Sequence, residues 1–536
     1  MKNIFKALFL TLALAFVFSS CAKWEDYNTN PYGVTDEMLA ADYNNIGAYY
    51  PQIMQSVYYN YRNSNWIFQL VQNLTADLWC GYMANAAAFN GNANTGNLNM
   101  YDSWIAEEWS VTYKRVMSPI FNSIAPQADN DEYRHFYAPA LIMKVLAMSR
   151  LTEAYGPCIY SKYGQSATGG NFESQQDTYN AFFNDLDVAV AALDNFIKYT
   201  GSNVSGSFKK FDDWCDGDFS KWIRFANTIR LRLAMHLQKV DEGKAKSEFA
   251  KAMSNPYGLL SGKSDVVTMH ASTWNHPLYT LGQGWQNCYV GAVMQTFLVG
   301  YDDPRLPKYF LEATNDKCVA EGQKWAGMRM GNDSPDGTYY QGYSLANFNK
   351  TDPAIIMQPA EVSFLKAEAA LRGWISGSAK EYYEEGVRAS LDYYGLGGEA
   401  DKYLASDAIP TRYVNPVNHA WDIDANNFLS PKWNEGDSNE TKLERIIDQK
   451  YLAIFPDGYE AWLDLRRTGY PHQFPVILNA SSGDAKMADG DIVRRMPYPQ
   501  SVASSDAAGY QQAIGFLGGK DIPLTRTWWD VDKPNF

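Results

Sequence analysis

The side chains that could carry out covalent chemistry are few and dispersed along the chain. There is no H-E-x-x-H, G-x-S-x-G, Walker A or dinucleotide-binding motif, and the six histidines are scattered. The closest approach to a pair of catalytic carboxylates is Asp302-Asp303-Pro304-Arg305. Because adjacent acidic residues before a proline more often form a turn, we interpret this segment as a turn closed by an ion pair to the arginine. The sequence therefore predicts no catalytic residue, no metal site, no cofactor and no enzyme activity.

Other charged residues lie on predicted helices, where a structural role explains them. Glu368 and Arg372 are four residues apart, which is the spacing of an ion pair on one helical face. His236 falls close to the apolar stripe of its helix, as expected for a buried histidine with a hydrogen-bond partner rather than a metal ligand. The cysteines after Cys21 are odd in number and form no C-x-x-C, so we predict buried, unpaired thiols.

Aromatic residues outside the predicted helices are the best candidates for binding. The chain has 37 Tyr and 16 Trp, and many of them lie in stretches rich in Asn, Gly and Gln. Sugar C–H faces stack on such rings while side-chain amides bond the hydroxyl groups. The alternative, open for any single ring, is that the rings pack these stretches onto the helices. The rings that we predict to contact a ligand are Trp79, Tyr82, Phe89, Trp274, Trp285, Trp325, Tyr339 and Tyr340.

The elements that must position these rings are pairs of antiparallel helices. In residues 359–395, apolar side chains recur at helical spacing on both sides of a break at Ser376-Gly377-Ser378. This length is close to the repeat of about 34 residues in tetratricopeptide proteins, where each pair buries its apolar face against a neighbour. The predicted fold is all-α dominated with minor short β. Four helix pairs are predicted near 132–199, 219–253, 359–395 and 442–469, and loop-rich inserts near 79–100, 254–352, 401–437 and 473–536.

The start of the chain has the pattern of a secretory signal peptide. Lys2 and Lys6 precede an apolar run that is too short to span a bilayer, so we predict a signal peptide at 1–20. Ser19-Ser20-Cys21 resembles the lipobox of bacterial lipoproteins, which implies that Cys21 carries the lipid. An ordinary signal peptide cut at small residues is the alternative.

The residues after the lipobox predict how the protein is attached. We expect a lipid-anchored tether at 21–45 and a single domain at 46–536, and we interpret the 79–100 insert as a long surface loop. Lys23, Glu25 and Asp26 resemble the acidic export tag of cell-surface lipoproteins from Bacteroidetes. No other stretch is apolar enough to cross a membrane, so attachment would depend on acyl chains. The net charge of −14 argues against a nucleic-acid partner.

Several segments in order resemble the SusD/RagB family of nutrient-binding outer-membrane lipoproteins from Bacteroidetes. The segments are Asn28-Thr29-Asn30-Pro31, Tyr301-Asp302-Asp303-Pro304-Arg305, the helix at 359–374, the last repeat at 449–467, and Arg494-Arg495-Met496-Pro497-Tyr498-Pro499. The resemblance extends nearly from end to end of the chain. Each motif is weak alone, and their order and spacing make the set specific.

The resemblance implies both a fold and a function. The fold is a set of four tetratricopeptide-like helix pairs. The protein would be anchored in the outer membrane, exposed at the cell surface, and would act as a lid on a SusC-like TonB-dependent transporter. It would capture an oligosaccharide or, in some members, a peptide, without covalent chemistry. Two alternatives remain open: a scaffold that binds only protein, and a surface glycoside hydrolase, which would need two carboxylates about 5–10 Å apart in a cleft.

Overall fold

The computed structural model describes residues 36–166, 170–270, 274–331 and 338–536. It consists of two compact units, Met1–Ala48 and Tyr49–Phe536. In the first unit, the described part contains the short helices Asp36–Ala41 and Asn44–Gly47. The predicted signal peptide, Cys21, the export tag and most of the tether lie outside the described residues. All that follows concerns the second unit.

Eight long helices form the four predicted pairs. Their bounds are α1 Arg134–Tyr155, α2 Gln175–Thr200, α3 Phe219–His236, α4 Glu242–Met253, α5 Ala360–Leu371, α6 Ala379–Tyr393, α7 Asn439–Ala453 and α8 Gly458–Thr468. Within the first three pairs, the two helices pack directly on each other, whereas α7 packs more extensively on α5 than on α8. Helices dominate the described chain and strands are minor, which confirms the predicted fold class.

Polar side chains mark where most of these helices begin. At each such N-terminus a Ser or Asp side chain accepts a hydrogen bond from a backbone N–H of the first turn, which satisfies a donor that has no partner within the helix. The capping residues are Ser174 for α2, Asp218 for α3, Asp241 for α4, Ser378 for α6, Ser438 for α7 and Asp457 for α8. Gly201 and Gly469, both with positive φ, end α2 and α8.

A buried charge network connects all four pairs. Its members are Glu153 of α1, Arg232 and His236 of α3, Glu361 and Glu368 of α5, Lys450 of α7, and Glu460, Asp464 and Arg467 of α8. Lys450 Nζ lies 2.6 Å from Glu460 and 2.8 Å from Asp464, so one ammonium joins two carboxylates of the neighbouring helix. A buried charge is tolerated only when it is paired, and each member of this network has a partner of opposite sign.

Shorter helices lie before, between and after the pairs. The α-helical ones are Tyr50–Val57, Asn65–Phe68, Asp77–Trp79, Asp102–Val111, Gly206–Lys209, Pro277–Tyr279, Ala292–Gly300, Leu306–Tyr309, Asp316–Ala320, Ala400–Leu404, Gln500–Ser505 and Ala507–Leu517. The π-helical turns are Gln69–Ala76, Thr112–Met117, Ile120–Ile124 and Thr280–Gly284. None of the helices in the described ranges has the length and apolar character needed to cross a bilayer.

Four short strands form two antiparallel ladders. Strand β1 (Met83–Ala84) pairs with β3 (Tyr289–Val290), and β2 (Val267–Met269) pairs with β4 (Ala354–Met357). Gly291 follows β3, and a side chain there would collide with the carbonyl of Gly81. The glycines thus let two backbones approach closely beside the ladder.

The β1–β3 ladder changes the interpretation of the 79–100 insert. Residues 79–86 are buried, and so are residues 94–98, although we predicted a long surface loop. That prediction is wrong for these two stretches, because the Asn-, Gly- and Ala-rich composition serves close packing here. The middle of the insert, at 87–93, and its last two residues, 99–100, are at least partly exposed.

Candidate functional site

A concavity of about 700 Å³ lies in the insert between β2 and β4, and we call it the polar groove. Its lining residues are Gln286, Leu311, Glu312, Thr314, Asn315, Asp316, Lys317, Thr338, Gln341, Gly342, Tyr343 and Leu345. Most of these side chains are polar, and several carry amide or hydroxyl groups. Such a lining can donate hydrogen bonds to, and accept them from, a ligand rich in hydroxyl groups.

Backbone contacts around Gly342 fix the walls of the polar groove. The Gly342 carbonyl accepts hydrogen bonds from the N–H groups of Thr314 (2.7 Å) and Asn315 (3.0 Å). The Asn315 side-chain amide donates to the Gln341 carbonyl at 2.7 Å. Gly342 has a φ of +84°, and a Cβ at this position would lie 2.7 Å from the Asn315 nitrogen. Glycine is therefore required where the two walls meet.

Two glutamines tie the segment that carries Trp285 to the segment that carries Tyr339. Gln341 Nε2 donates to Gln286 Oε1 at 3.2 Å, and the Gln286 carbonyl accepts from the Tyr289 hydroxyl at 2.7 Å. Among the described residues, neither the Gln341 amide oxygen nor the Thr314 hydroxyl has a hydrogen-bond partner. These groups are therefore available to a ligand.

A small hydrophobic cluster supports the groove from below. Its buried members are Ala84, Ala86, Tyr289, Cys318, Ala326, Met328, Tyr340 and Tyr343. The ring of Tyr340 packs edge-on against Tyr343, with centroids 5.2 Å apart, and against Tyr339, with centroids 4.9 Å apart. Tyr343 also lines the groove, so the cluster forms part of its floor. The exposed ring of Tyr339 therefore packs on the buried ring of Tyr340.

Three of the eight predicted ligand-binding rings belong to this region. Trp285 and Tyr339 are 45% and 38% exposed, and they are the chain neighbours of the lining residues Gln286 and Thr338. Trp325 is half-buried, and the ammonium of Lys324 lies 5.6 Å from its ring centroid. The same ammonium pairs with the lining residue Glu312 at 2.9 Å. Trp285 and Tyr339 thus adjoin lining residues in the chain, and Trp325 is linked to the lining through Lys324 and Glu312.

The other predicted rings are placed differently. Trp79, Tyr82, Trp274 and Tyr340 are buried, and Phe89 is half-buried beside Trp104. Tyr82 donates to the Tyr451 carbonyl at 2.5 Å, and Trp79 packs 4.8 Å from Trp462. Tyr82, Trp274 and Tyr340 therefore pack within the protein, as the alternative interpretation expected, whereas Trp79, although buried, is among the residues that line a separate concavity of about 400 Å³.

Strongly shifted pKa values occur in the charge network, which lies outside the groove. Burial opposes the charged form of His236, but the carboxylates of Glu460 and Glu153 outweigh it and raise the pKa of His236 to about 9. Burial likewise opposes ionised Glu368, yet Arg467 and Arg372 lower the pKa of Glu368 to about 2. Perturbed groups mark candidate catalytic centres, but the shifts of His236 and Glu368 are explained by ion pairs within the helical core.

The structural interpretations of the charged motifs are confirmed. Arg372 pairs with Glu368 at 2.8 Å, and Arg305 pairs with Asp303 at 2.7 Å with both side chains fully buried. His236 is buried, with Nδ1 3.0 Å from Glu153. The cysteines of the described chain, Cys80, Cys158, Cys215, Cys288 and Cys318, are free and buried. Within the described ranges no group of three or more His, Cys, Asp or Glu side chains could hold a metal ion.

The sequence model of the family described as "SusD-like: Susd and RagB outer membrane lipoprotein" matches residues 26–530. The chain belongs to the SusD-like family. The family predicted from the sequence motifs is therefore confirmed, and the match includes every segment of the polar groove. No curated protein sequence matches the chain.

Solved SusD homologues share the fold over nearly the whole chain. A chitin-binding SusD homologue from Flavobacterium johnsoniae is 34% identical, with a TM-score of 0.86 over 92% of this chain and 100% of its own. A SusD homologue from Bacteroides vulgatus is 36% identical, with a TM-score of 0.86 over 93% of this chain and 100% of its own. A third, from Bacteroides uniformis, is 32% identical, with a TM-score of 0.82 over 91% of this chain and 99% of its own.

In this SusD-like chain, the aromatic pattern identifies individual rings, but it does not identify which amides accompany them. Gln286 directly follows Trp285, and Gln341 lies two residues after Tyr339. The signal that could have found them is this pairing of an amide with an aromatic residue in two separate segments. Asn315 gave no comparable signal, because its role depends on a long-range contact with Gln341.

Proposed function

We propose that this SusD-like protein captures an oligosaccharide in the polar groove and delivers it to a SusC-like TonB-dependent transporter of the outer membrane. The observation that carries the proposal is that the exposed rings of Trp285 and Tyr339 are chain neighbours of lining residues of a groove in which the Gln341 amide oxygen and the Thr314 hydroxyl have no described partner. The SusD homologue from Flavobacterium johnsoniae, which binds chitin, supports a carbohydrate ligand.

The groove suits recognition by surface contact. Sugar faces would stack on Trp285 and Tyr339, while Gln341 and Thr314 would bond the hydroxyl groups. Tyr339 is held edge-on against buried Tyr340, and Gln341 is held by Gln286, so little side-chain entropy is lost on binding. Trp325 would add a third ring at the side where Lys324 pairs with Glu312.

Delivery follows from attachment beside the channel. A lipid on Cys21 would hold the protein at the outer membrane, exposed to the medium, next to its transporter. Tethering raises the effective concentration of a bound ligand at the channel, so a site of modest affinity suffices. We propose capture and delivery alone, without a catalytic step.

Replacing Trp285 by Ala tests the groove directly. We expect a loss of about tenfold in affinity for the oligosaccharide that binds wild type, because one stacking face is removed. The melting temperature should change by no more than about 2 °C, since the ring is 45% exposed. Affinity is measured by titration calorimetry over a panel of neutral oligosaccharides that includes chitohexaose.

The matched control is Phe428→Ala, which removes a ring that is 63% exposed and does not line the groove. It should leave affinity unchanged. Equal affinities for wild type and Trp285→Ala would overturn the assignment of the groove. If the protein bound peptides and no oligosaccharide, the ligand would be a peptide and the carbohydrate assignment would be wrong. Release of reducing ends from a polysaccharide would contradict a function limited to binding.

A further inference from the structure

Two arginines converge on one tyrosine ring outside the lining of the polar groove. The guanidinium carbons of Arg62 and Arg115 each lie 5.2 Å from the centroid of the Tyr61 ring. Arg62 is exposed, and Arg115 and Tyr61 are half-buried. Two like charges are thus brought to the same ring from separate segments of the chain, an arrangement that like-charge repulsion opposes unless something of opposite sign compensates it.

The backbone holds both arginines in place. Arg62 has φ 54° and ψ 40°, a left-handed conformation that is uncommon for a residue other than glycine. Its N–H donates to Gln55 Oε1 at 3.2 Å, and the carbonyl of Arg115 accepts from Gln52 Nε2 at 3.4 Å. Both glutamines belong to the helix Tyr50–Val57, so a single element fixes the two guanidinium-bearing residues. Strained backbone of this kind is often found at functional sites.

Neither guanidinium has an anionic partner in the described chain. No described carboxylate lies within 4.0 Å of Arg62 or Arg115, and neither side chain makes a hydrogen bond to a described residue. Lys114 also lacks an ion pair there. The acid that acts on Arg115 and Lys114 electrostatically is Glu107, which is beyond ion-pair distance. This local excess of positive charge stands out in a chain of net charge −14.

Other exposed arginines of the molecule have the carboxylate partner that Arg62 and Arg115 lack in the described chain. Arg134 pairs with Asp131 at 3.0 Å, Arg388 pairs with Asp401 at 2.6 Å, and the protein thus neutralises its ordinary surface guanidiniums. The ring of Tyr61 attracts both cations through its face, which lowers the cost of bringing them together. It leaves their planar N–H groups free to bind an anion, and guanidinium groups suit carboxylate and sulfate in particular.

An exposed tryptophan follows Arg62 by four positions in the chain. Trp66 is 50% exposed and stands in the first turn of the helix Asn65–Phe68. One turn later, Gln69 Nε2 donates to Asn287 Oδ1 at 3.4 Å, which joins this segment to the one that carries Trp285. The segment that carries Trp66 is therefore in contact with the segment that carries Trp285.

We propose that Arg62, Arg115 and Tyr61 form a subsite for the anionic substituent, carboxylate or sulfate, of an acidic oligosaccharide whose sugar rings contact Trp66. The inference rests on the proposed function, because it names a substrate class for the same protein. The shared chemistry is a compact anion on a sugar, and the two possible sources are uronic acids and sulfate esters.

The test compares charged and neutral forms of one ligand. Hexagalacturonate and its methyl ester have the same length and differ in charge. Wild type should bind the acid at least about tenfold more tightly at low salt, and the preference should fall as salt is added. The double variant, which combines Arg62→Asn with Arg115→Gln, should bind the acid and the ester equally. Asn is chosen at position 62 because it tolerates the left-handed backbone there. Arg388→Gln, which also removes one surface positive charge, should keep the preference.

A second measurement covers the sulfate source and does not depend on any glycan. Millimolar sodium sulfate should raise the melting temperature of wild type more than sodium chloride of equal ionic strength, because a ligand that binds only the folded state stabilises it. The double variant should lose this difference. Sulfate stabilisation without a preference for hexagalacturonate would support the subsite and assign it to sulfate esters.

The outcomes separate this inference from the proposed function. If wild type shows neither the acid preference nor the sulfate effect, or if the double variant keeps either one, the subsite is refuted. Neutral oligosaccharides would then still bind through Trp285, and the proposed function would stand. If instead the acid preference depends on Arg62 and Arg115 while Trp285→Ala has no effect, the subsite stands and the groove assignment fails.

Discussion

The charge network and the polar groove are both rich in polar side chains, and they differ in whether those side chains have partners. In the network, Lys450 lies within 2.8 Å of Glu460 and Asp464, and Arg467 lies within 2.8 Å of Glu368 and of the same Asp464. In the groove, the Gln341 amide oxygen and the Thr314 hydroxyl have no partner in the described chain. Satisfied polar groups hold the fold, and unsatisfied ones at a surface are available for a ligand.

The aromatic rings divide in the same way. Trp462 is fully buried, with Arg466 3.5 Å from its ring centroid and Trp79 packed 4.8 Å away. Trp285 leaves 45% of its surface open. Trp79 and Trp285 are the same residue type, and both come from predicted inserts of similar composition. Their difference in exposure is therefore set by how the backbone around each ring packs. Chemical type alone therefore does not assign a ring to binding.

Removing one member of the charge network should have the largest effect on stability. Arg467→Ala leaves Glu368 and Asp464 buried with a missing partner, which costs about 3–5 kcal/mol in the free energy of unfolding. Denaturant titration measures the loss. The matched control is Lys198→Ala, whose exposed i,i+4 pair with Asp194 is worth less than about 1 kcal/mol. A similar small effect for both variants would show that the network does not hold the pairs together.

Raising the pH should weaken the same network through His236. Its pKa is raised from 6.5 to about 9 in the folded protein, so its stabilising contribution is complete below pH 6.5 and is lost as the pH rises to about 9. The loss is of the order of 3 kcal/mol, at about 1.4 kcal/mol per pKa unit.

His236→Gln provides the control for this pH dependence. The variant has no titrating imidazole between Glu153 and Glu460, so its free energy of unfolding should change less than that of wild type between pH 6.5 and 9. The measurement is denaturant unfolding at several pH values. Parallel pH curves for the two proteins would show that His236 does not carry the effect.

Sequence spacing predicted local relationships well and long-range ones poorly. The pair of Glu368 with Arg372 follows from their i,i+4 separation, and the helix pairs follow from apolar periodicity. That Arg467 binds the same carboxylate could not be predicted, because the two residues are 99 positions apart and meet only in the folded core.

Within the inserts, sequence alone could not separate binding rings from core rings. Tyr339 and Tyr340 are adjacent residues of one type, yet one is 38% exposed and the other 1%. Helices and strands have a period that assigns each side chain to a face, whereas an irregular turn has none. The buried stretch at 79–86 escaped prediction for a related reason, since its burial depends on the ladder between β1 and β3, more than 200 residues apart in the chain.

The adjacent tyrosines offer the finest contrast between binding and structure. Tyr340→Ala empties part of the hydrophobic cluster under the groove and should cost about 3–5 kcal/mol in the free energy of unfolding. Tyr339→Ala removes a ring that rests on the cluster from outside and should cost less than about 1 kcal/mol, while ligand affinity falls several-fold. Titration calorimetry measures the ligand affinity of both variants, and denaturant titration measures their free energies of unfolding. If Tyr339→Ala were as destabilising as Tyr340→Ala, with unchanged affinity, the exposed ring would belong to the fold, and Trp285 would be the principal exposed stacking surface of the groove.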